Sequence, residues 1–305
     1  MSQYHTPVLL DESVSALIVN PSGLYIDATF GGGGHTAELL SRLHGKGHVL
    51  AFDRDVDALG NQPDDPRLIL VHNNFRFVHN YVQYYAAVLG TPAEADGILA
   101  DLGVSSHQFD TADRGFSFRF DAPLDMRMHA GAGQTAADLV NGLGEEDLER
   151  ILRMYGEVEG ARKMARLIVK ARALKPVETT GDLSKALEPC LPKYAEHKVL
   201  AKVFQALRIE VNQEMKALEK FLDGAARSLR SGGRLAVITY HSLEDRMVKN
   251  FIRTGNVDGE VKKDMYGRTD TPLRAVGRKP VLPQESEIAA NTRARSAKLR
   301  VAEKI

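Results

Sequence analysis

Four consecutive glycines, at 31–34, follow an apolar run that ends at Asp27, and a helix-like pattern of apolar residues begins directly after them. Without Cβ atoms such a turn lets the backbone approach a ligand closely, and the next helix points its first N–H groups at that ligand. A second apolar run, 48–52, ends at Asp53. An acidic residue at this point is where α/β nucleotide-binding folds hold the hydroxyls of a ribose. The pattern predicts a site for a cofactor that contains adenosine.

Three classes of cofactor compete for this glycine turn. A phosphate-binding P-loop requires a lysine directly after its glycines, and none follows here, so an ATPase is excluded. The dinucleotide pattern G-x-G-x-x-G fails in its strict form because Thr36 occupies the last place. It fits only in the relaxed register Gly32, Gly34 and Ala37. S-adenosylmethionine has no phosphate, and its positively charged sulfur is attracted by a carboxylate such as Asp27. The turn therefore favours the methyl donor over a dinucleotide.

Strands and helices must position these residues, and the hydrophobic pattern supplies them in alternation. Strands are predicted at 24–29, 48–53, 67–72 and 97–102, helices at about 35–43 and 76–89, and further strands at 232–239 and 298–302. Such alternation predicts an α/β fold with a parallel sheet and crossover helices. Ligands of such sheets bind at the carboxyl ends of the strands.

The alternation stops in the middle of the chain. Residues 110 to about 150 are predicted to form a loop, and helical patterns follow at about 145–155, 158–174, 180–188 and 196–230. We therefore predict one domain from 1–109 and 213–305, and an inserted all-helical domain from 110–212. The stretch 255–292 is too polar and too rich in glycine and proline to assign.

Three side chains stand at or just beyond predicted strand ends. Asp101 closes the fourth strand, beside the expected cofactor. Phe75, just after the third strand, either stacks on a flat ring or belongs to the core. His241 follows the fifth strand and either contacts the substrate or lies behind it, with Ser242 as the cap of the next helix.

The predicted loop interleaves arginines with aromatic residues: Arg114, Phe116, Phe118, Arg119, Phe120 and Arg127. Such mixtures suit stacking on unpaired bases and binding of phosphate. The alternative is a loop that packs its own aromatic side chains against the helical insertion. Basic residues are also concentrated in 262–304, where eleven Lys or Arg stand against five acids. This excess favours a polyanionic partner, although the chain as a whole has a net charge of zero.

Composition limits the class of protein. With 43% hydrophobic and 26% charged residues, the chain has the composition of a globular protein. No apolar run approaches the length of a membrane span and the first residues do not form a signal region, so we expect a cytoplasmic protein without a membrane partner. The single cysteine, Cys190, excludes an internal disulfide and a cysteine-based zinc site. No metal is expected.

The same cysteine limits the methyl acceptor. Methylation of carbon 5 of a pyrimidine needs a cysteine nucleophile, and Cys190 lies far along the insertion. The D-P-P-Y type of motif of many DNA amino-methyltransferases is absent, because Leu102 and Gly103 follow Asp101. An oxygen or an amino nitrogen remains as acceptor, with catalysis mainly by orientation of the two reactants.

Nine motifs resemble one bacterial family in order along nearly the whole chain. They are H-T-P-V-L-L-D-E at 5–12, G-G-G-H at 32–35, A-F-D-R-D at 51–55, D-G-I-L-A-D-L-G-V-S-S at 96–106, R-G-F-S-F at 114–118, P-L-D-M-R-M at 123–128, F-Q-A-L-R-I at 204–209, H-S-L-E-D-R at 241–246 and R-A-R-S-A-K-L-R at 293–300. The family that this set resembles is ribosomal RNA small subunit methyltransferase H. The match departs at His107 and Thr292, where the family usually has proline, and the segment 253–274 is short for the family.

The resemblance implies a Rossmann-like class I methyltransferase sheet with an inserted helical domain. It also implies transfer of a methyl group from S-adenosylmethionine to the exocyclic N4 of a cytidine in 16S rRNA of the small ribosomal subunit, near the decoding centre. Carried over by motif, the cofactor-binding residues would be Gly33, Gly34, His35, Asp53, Phe75, Asp101 and Gln108. The catalytic and substrate-side residues that we expect are Asp101, Asp125, Arg127 and His241. The family resemblance also implies a homodimer. Because the target cytidine is embedded in a large RNA, we expect the substrate to be an assembled particle and not naked RNA.

Two other classes of function remain open on the sequence. A dinucleotide-dependent oxidoreductase would use the relaxed glycine register and bind NAD(P) instead of S-adenosylmethionine. An RNA-binding assembly factor that has lost turnover would keep its cellular role when Asp53 is replaced by alanine.

Overall fold

The computed structural model describes residues 7–261, 263 and 271–305. The chain divides into two compact units, one of Met1–Gly103 with Met215–Ile305 and one of Val104–Glu214. The second unit begins before residue 110, where the sequence analysis placed its start, and it includes a short helix at Ser106–Asp110. The first two residues of the motif at 5–12, and four of the charged residues counted in 262–304, lie outside the described residues: Lys262, Asp264, Arg268 and Asp270.

The strands all belong to the first unit, and helices occur in both. The strands are β1 Leu24–Asp27, β2 His48–Asp53, β3 Leu68–His72, β4 Ala95–Asp101, β5 Leu229–Thr239, β6 Leu273–Ala275 and β7 Lys298–Lys304. The α-helices are α1 Leu10–Leu17, α2 Gly34–Arg42, α3 Val78–Leu89, α4 Ser106–Asp110, α5 Ala136–Gly142, α6 Glu145–Gly156, α7 Ala161–Arg172, α8 Thr180–Leu187, α9 Glu196–Asn212, α10 Glu214–Ser228, α11 Ser242–Thr254 and α12 Glu285–Ala290. Among the described residues, no helix has the length and apolar character needed to cross a membrane.

The sheet has the strand order β3-β2-β1-β4-β5-β7-β6. Strands β1 to β5 run parallel, and β7 is antiparallel to both β5 and β6. This order, with one antiparallel strand inserted near the edge, is the Rossmann-like sheet of class I methyltransferases. The predicted fold class is confirmed.

Helices cover both faces of the sheet, and alternate strand residues point to opposite faces. On one face Ile26 and Phe52 pack with side chains of α3, α10 and α11. On the other face Tyr25 and Val49 pack with side chains of α1 and α2. A parallel sheet that is covered on both faces has no solvent-exposed face, so its strands are continuous apolar runs. This explains why the strands are visible in the sequence.

The second unit is helical, and side chains of α5 to α9 form its core. Phe116 is buried in this core, and Phe118 packs edge-on against Phe204 with 5.3 Å between ring centroids. These two aromatic side chains therefore pack within the unit, as the alternative interpretation of the loop proposed. Phe120 differs, because 52% of it is exposed.

Several predicted boundaries are wrong for local reasons. The predicted loop of 110–150 contains α5, whose start is capped by the hydroxyl of Thr135. The single helical pattern of 196–230 is two helices, because Gln213 adopts a left-handed φ of 52° between α9 and α10. The unassigned stretch 255–292 contributes β6 and α12.

Candidate active site

Acidic residues occupy the ends of three neighbouring parallel strands. Asp27, Asp53 and Asp101 are the last residues of β1, β2 and β4. Because β1 lies between β2 and β4 in the sheet, all three residues lie near its carboxyl edge. Asp27 pairs with Ala51 and Leu99, so it lies two residues deeper than Asp53 and Asp101. This is the edge at which open α/β sheets bind their ligands.

The glycine turn joins β1 to α2. Gly31 and Gly33 have φ values of 51° and 77°, which favour glycine because a Cβ would crowd the backbone. A Cβ added to Gly34 would lie 2.1 Å from Cγ of Pro7, whereas one added to Gly31 would find no atom closer than 4.0 Å. No side chain caps the start of α2, so its first N–H groups remain available. The turn is thus an open cradle that fits the carboxylate of an amino acid such as the methionine part of the donor.

Asp27 stabilises this turn from below. Its side chain is fully buried. One carboxylate oxygen accepts a 3.0 Å hydrogen bond from the Thr29 N–H, and the other accepts a 2.7 Å bond from the Thr36 hydroxyl. The expectation that Asp27 itself faces the sulfur of the donor is therefore wrong, because no ligand can reach a carboxylate enclosed in this way.

Asp53 connects the end of β2 to the glycine turn. Its Oδ2 accepts a 2.8 Å hydrogen bond from the Gly31 N–H, and its Oδ1 accepts one of 2.8 Å from the Asp55 N–H. Burial raises the pKa of Asp53 to about 6, although these backbone hydrogen bonds lower it. The backbone N–H of Arg54 also bonds to this carboxylate. A carboxylate has about four acceptor positions, so Asp53 can accept one further hydrogen bond from a ribose hydroxyl.

Asp101 is held at the end of β4 by two neighbours. The Tyr240 hydroxyl donates a 2.7 Å hydrogen bond to its Oδ1, and its backbone N–H donates one of 2.7 Å to the Thr29 hydroxyl. Although 22% of the side chain is exposed, burial raises the pKa of Asp101 to about 6, against the lowering effects of the nearby His35 ring and of the Tyr240 hydrogen bond. Burial also raises the pKa of Tyr240 far above its ordinary value, so the hydroxyl keeps its proton and acts as the donor.

His35, near the start of α2, turns one ring nitrogen toward Asp101. Its Nε2 lies 3.2 Å from the backbone oxygen of Val8, and because a carbonyl only accepts, Nε2 carries the proton. Nδ1 lies 3.9 Å from Oδ2 of Asp101, which is too far for a direct hydrogen bond. Oδ2 of Asp101 is therefore left as an acceptor for a ligand N–H group beside the His35 ring.

His241 caps α11, a role that the sequence analysis gave to Ser242. Its Nδ1 accepts a long 3.4 Å hydrogen bond from the Glu244 N–H. Oε2 of Glu244 accepts bonds of 2.9 Å from the Tyr240 N–H and 3.3 Å from the His241 N–H. Nε2 of His241 lies 3.1 Å from Oε1 of Glu244 but outside hydrogen-bonding angles. The cap fixes the backbone that carries Tyr240.

Phe75 begins a short 3-10 helix, Phe75–Phe77, after β3. It is half-buried and packs edge-on against Phe221 with 5.2 Å between ring centroids. The packing accounts for one part of the ring, and the exposed part remains available for a flat ligand ring. Both interpretations of Phe75 are thus compatible with its position.

Three further predicted residues belong to the second unit. Gln108 is buried in α4, where its side-chain oxygen accepts from the Ser105 N–H at 3.2 Å. Arg127 donates two hydrogen bonds, of 2.8 and 2.7 Å, to the carboxylate of Asp125. Burial would raise the pKa of Asp125, but the hydrogen bonds from Arg127 outweigh it and lower that pKa. The pair is therefore formed and charged without a substrate.

Sequence reasoning missed Tyr240 and Thr29. Both lie beside residues that were singled out, Tyr240 directly before His241 and Thr29 two positions after Asp27. The pairing of β4 with β5 brings Asp101 opposite Ile238, so a polar residue just beyond Ile238 was a candidate partner for Asp101. That signal depends on strand register, which the sequence leaves open.

Comparison with known proteins adds a family to this geometry. A family model described as the MraW methylase family matches residues 2–305. Ribosomal RNA small subunit methyltransferase H of Parabacteroides distasonis is 53% identical over 304 residues, which cover 100% of this chain and 98% of that protein. The protein of the same name in Bacteroides fragilis strain YCH46 is 55% identical over 301 residues, covering 99% of this chain and 97% of that protein.

A solved structure of an rRNA methylase from Streptococcus thermophilus aligns with 97% of this chain and 93% of its own, at 14% identity and a TM-score of 0.38. The family follows from the sequence matches, which span the chain and agree with the motifs. They also remove the dinucleotide-dependent oxidoreductase from consideration. This chain belongs to the MraW methylase family, and it is an S-adenosylmethionine-dependent methyltransferase.

Proposed function

We propose that this chain transfers the methyl group of S-adenosylmethionine to the exocyclic N4 of a cytidine in 16S rRNA of the small ribosomal subunit, near the decoding centre. The observation that carries the proposal is Oδ2 of Asp101, which Tyr240 leaves free as an acceptor and which lies 3.9 Å from Nδ1 of His35. An exocyclic amine presents two N–H donors and complements such an acceptor. The name of the relatives, which specifies small-subunit rRNA, supports the substrate class.

The donor pocket in this proposal follows the glycine turn. Bound S-adenosylmethionine supplies a methyl group that the positive sulfur activates for transfer. Asp53 accepts a hydrogen bond from a ribose hydroxyl, and the ring of Phe75 lies against the adenine. Gly33, Gly34 and His35 approach the methionine part, and the motif match assigns Gln108 to donor binding as well.

Asp101 would act on the amine. Transfer forms a bond between N4 and the methyl carbon, breaks the bond between that carbon and sulfur, and releases one proton from N4. The cytosine amine is a weak nucleophile because the ring shares its lone pair. A hydrogen bond from N4–H to Oδ2 of Asp101 orients the nitrogen and increases its electron density. With a pKa of about 6, the carboxylate is ionised at neutral pH and is basic enough to accept the proton.

The substrate must reach this edge as an unpaired base, because a paired and stacked N4 cannot approach the methyl carbon in line. We assign Asp125, Arg127 and His241 to the substrate side, with the pair of Asp125 and Arg127 offering a charged group for RNA. The same proposal places the protein in the cytoplasm, acting on an assembled particle, and allows a homodimer.

The test is incubation of the full chain with tritium-labelled S-adenosylmethionine and small subunits from cells that lack this protein. We expect label in N4-methylcytidine after digestion to nucleosides, and at least a hundredfold less with Asp101→Asn. Label in carbon 5 of a pyrimidine or in a ribose would contradict the assignment. Binding to the subunits without any transfer would instead support the assembly factor.

A further inference from the structure

A shallow, open surface pocket beside α3 contains none of the residues assigned above to the donor or the methyl acceptor. It has a volume of about 390 Å³ and is lined by Asn73, Phe77, Asn80, Tyr81 and Tyr84. We call it the α3 pocket. Asn73 directly follows β3, the first strand in the sheet order, so the pocket lies next to a sheet edge. Its size is that of a small-ligand site, and its lining combines aromatic rings with amides.

Two of the lining residues are fixed by the fold and two are exposed. Tyr81 packs edge-on against Phe52 with 5.4 Å between ring centroids, and its hydroxyl accepts a 2.8 Å hydrogen bond from Asn73. In contrast, Tyr84 is 61% exposed. The exposed carboxamide of Asn80 makes no hydrogen bond within the described residues. The Tyr84 ring is held on one side by an edge-on contact with Tyr85, with 5.0 Å between ring centroids. The pocket thus has a rigid floor, with an exposed ring and a free amide at its opening.

The chain segment that lines the pocket is basic. The guanidinium carbon of Arg76 lies 4.6 Å from the centroid of the Phe77 ring, and within the described part of the chain Arg76 forms no ion pair. Residues 66–93 contain no Asp or Glu, although the chain has 40 of them, and five aromatic residues fall within 75–85. Aromatic faces next to an unpaired arginine are the groups that bind single-stranded nucleic acid.

We infer that the α3 pocket binds one unpaired nucleotide of an RNA strand, with its base against Tyr84 and Phe77 and its phosphate at Arg76. The inference rests on the proposed function, which supplies the RNA. Asn80 offers a donor and an acceptor to the base edge, and a guanidinium pairs well with a phosphate. A purely apolar partner would leave the amides and the arginine without partners, which disfavours a protein helix at this position.

Binding of a fluorescein-labelled single-stranded oligoribonucleotide to the full chain tests the pocket. Removing the exposed ring by Tyr84→Ala should weaken binding on the order of tenfold, because it removes one base stack. Tyr84→Phe keeps the ring and should bind within about twofold of the unchanged chain. Arg76→Gln should weaken binding and lower the slope of log affinity against log salt by about one. Val88→Ala, which alters an exposed residue of the same helix outside the pocket, is the matched control.

Three readouts separate the outcomes. Calorimetry with S-adenosylhomocysteine should give the same affinity for all four variants, since none alters the donor site. Unchanged RNA affinity in Tyr84→Ala would overturn the pocket as an RNA site. A change in sedimentation coefficient without a change in RNA affinity would also overturn it, and would identify this face as a contact between copies of the chain. Methylation of small subunits by the unchanged chain tests the proposed function separately.

Discussion

The hydroxyl of Tyr240 donates a 2.7 Å hydrogen bond to Oδ1 of Asp101, across the pairing of β5 with β4. Tyr240 cannot act as an acid near neutral pH, because burial and the carboxylate raise its pKa far above the ordinary value. In this hydrogen bond Tyr240 is therefore always the donor and Asp101 the acceptor. The bond occupies Oδ1 and leaves Oδ2 of Asp101 as the atom that faces His35.

Tyr240→Phe should raise the pKa of Asp101, because the hydrogen bond from Tyr240 lowers it. If Asp101 must be ionised, activity falls as pH drops through about 6, and in the variant this acidic limb should move upward by about one pH unit. The turnover number at neutral pH should fall about tenfold, since the carboxylate also loses its orientation. The pH profile of methyl transfer measures both effects.

A matched control is Tyr155→Phe, which removes a phenol hydroxyl in α6 of the second unit. It should leave the acidic limb in place. An acidic limb that does not move in Tyr240→Phe would show that Asp101 is not the titrating group.

Asp101→Asn should make the donor-free protein more stable while it abolishes methyl transfer. A folded-state pKa raised from 3.8 to about 6 means that the folded protein binds the proton more tightly than the unfolded chain. This group therefore destabilises the fold at pH values above 6, and the penalty disappears as pH falls from 6 toward 4. At pH 7.5 the variant should gain roughly 1–3 kcal/mol in the free energy of unfolding.

Denaturant unfolding at pH 7.5 and pH 5 measures this gain. The difference between Asp101→Asn and the unchanged chain should shrink at the lower pH, because the carboxyl of the unchanged chain is then protonated. A loss of stability at pH 7.5 would contradict the prediction, and would mean that hydrogen bonding to the ionised form outweighs its burial.

Asp53→Asn should weaken the binding of S-adenosylhomocysteine by about tenfold or more, since the ribose loses its hydrogen bond to a charged acceptor. The unchanged chain should bind this ligand more weakly as pH falls through about 6, where Asp53 becomes protonated. Asp53→Asn should show little of this pH dependence. Calorimetry across pH 5 to 8 measures it, with Asp64→Asn as the control at an exposed acid of the following segment.

The strand ends were the predictable part of the site. Each parallel strand is a buried apolar run that stops at a polar residue, so Asp53 and Asp101 could be placed at the carboxyl edge from the pattern alone. Asp27 follows the same rule but is enclosed by Thr29 and Thr36. How deeply a carboxylate lies at this edge depends on the path of the turn. The hydrophobic periodicity of the sequence gives no information about that path.

Other features needed three-dimensional contacts. The helices α9 and α10 are separated at Gln213, which adopts a left-handed backbone conformation. Glutamine has no strong preference for that conformation, so the sequence pattern predicted one continuous helix. His241 caps α11 although histidine is not a favoured cap. The helix α5 was hidden because its length is only seven residues, shorter than the window that periodicity needs.

A comparison of Gly31→Ala with a second glycine variant separates two effects. One is the loss of stability from backbone strain, and the other is the loss of donor affinity from a methyl group in the glycine turn. The left-handed φ of 51° at Gly31 resembles that of 74° at Gly160, where α7 begins in the second unit. A Cβ at Gly160 meets nothing within 4 Å, and one at Gly31 meets no atom closer than 4.0 Å. Both alanine variants should therefore lose roughly 1–2 kcal/mol of stability from strain alone.

Only Gly31→Ala should weaken the binding of S-adenosylhomocysteine, because only there does the new methyl group enter the space above the turn. We expect a loss of about tenfold or more for Gly31→Ala, and no loss for Gly160→Ala once both are measured well below their melting temperatures. Equal affinity in the two variants would mean that the donor does not approach the glycine turn. The open face of the turn would then belong to the substrate, because Asp53, bonded to the Gly31 N–H, would still direct a ribose to this edge.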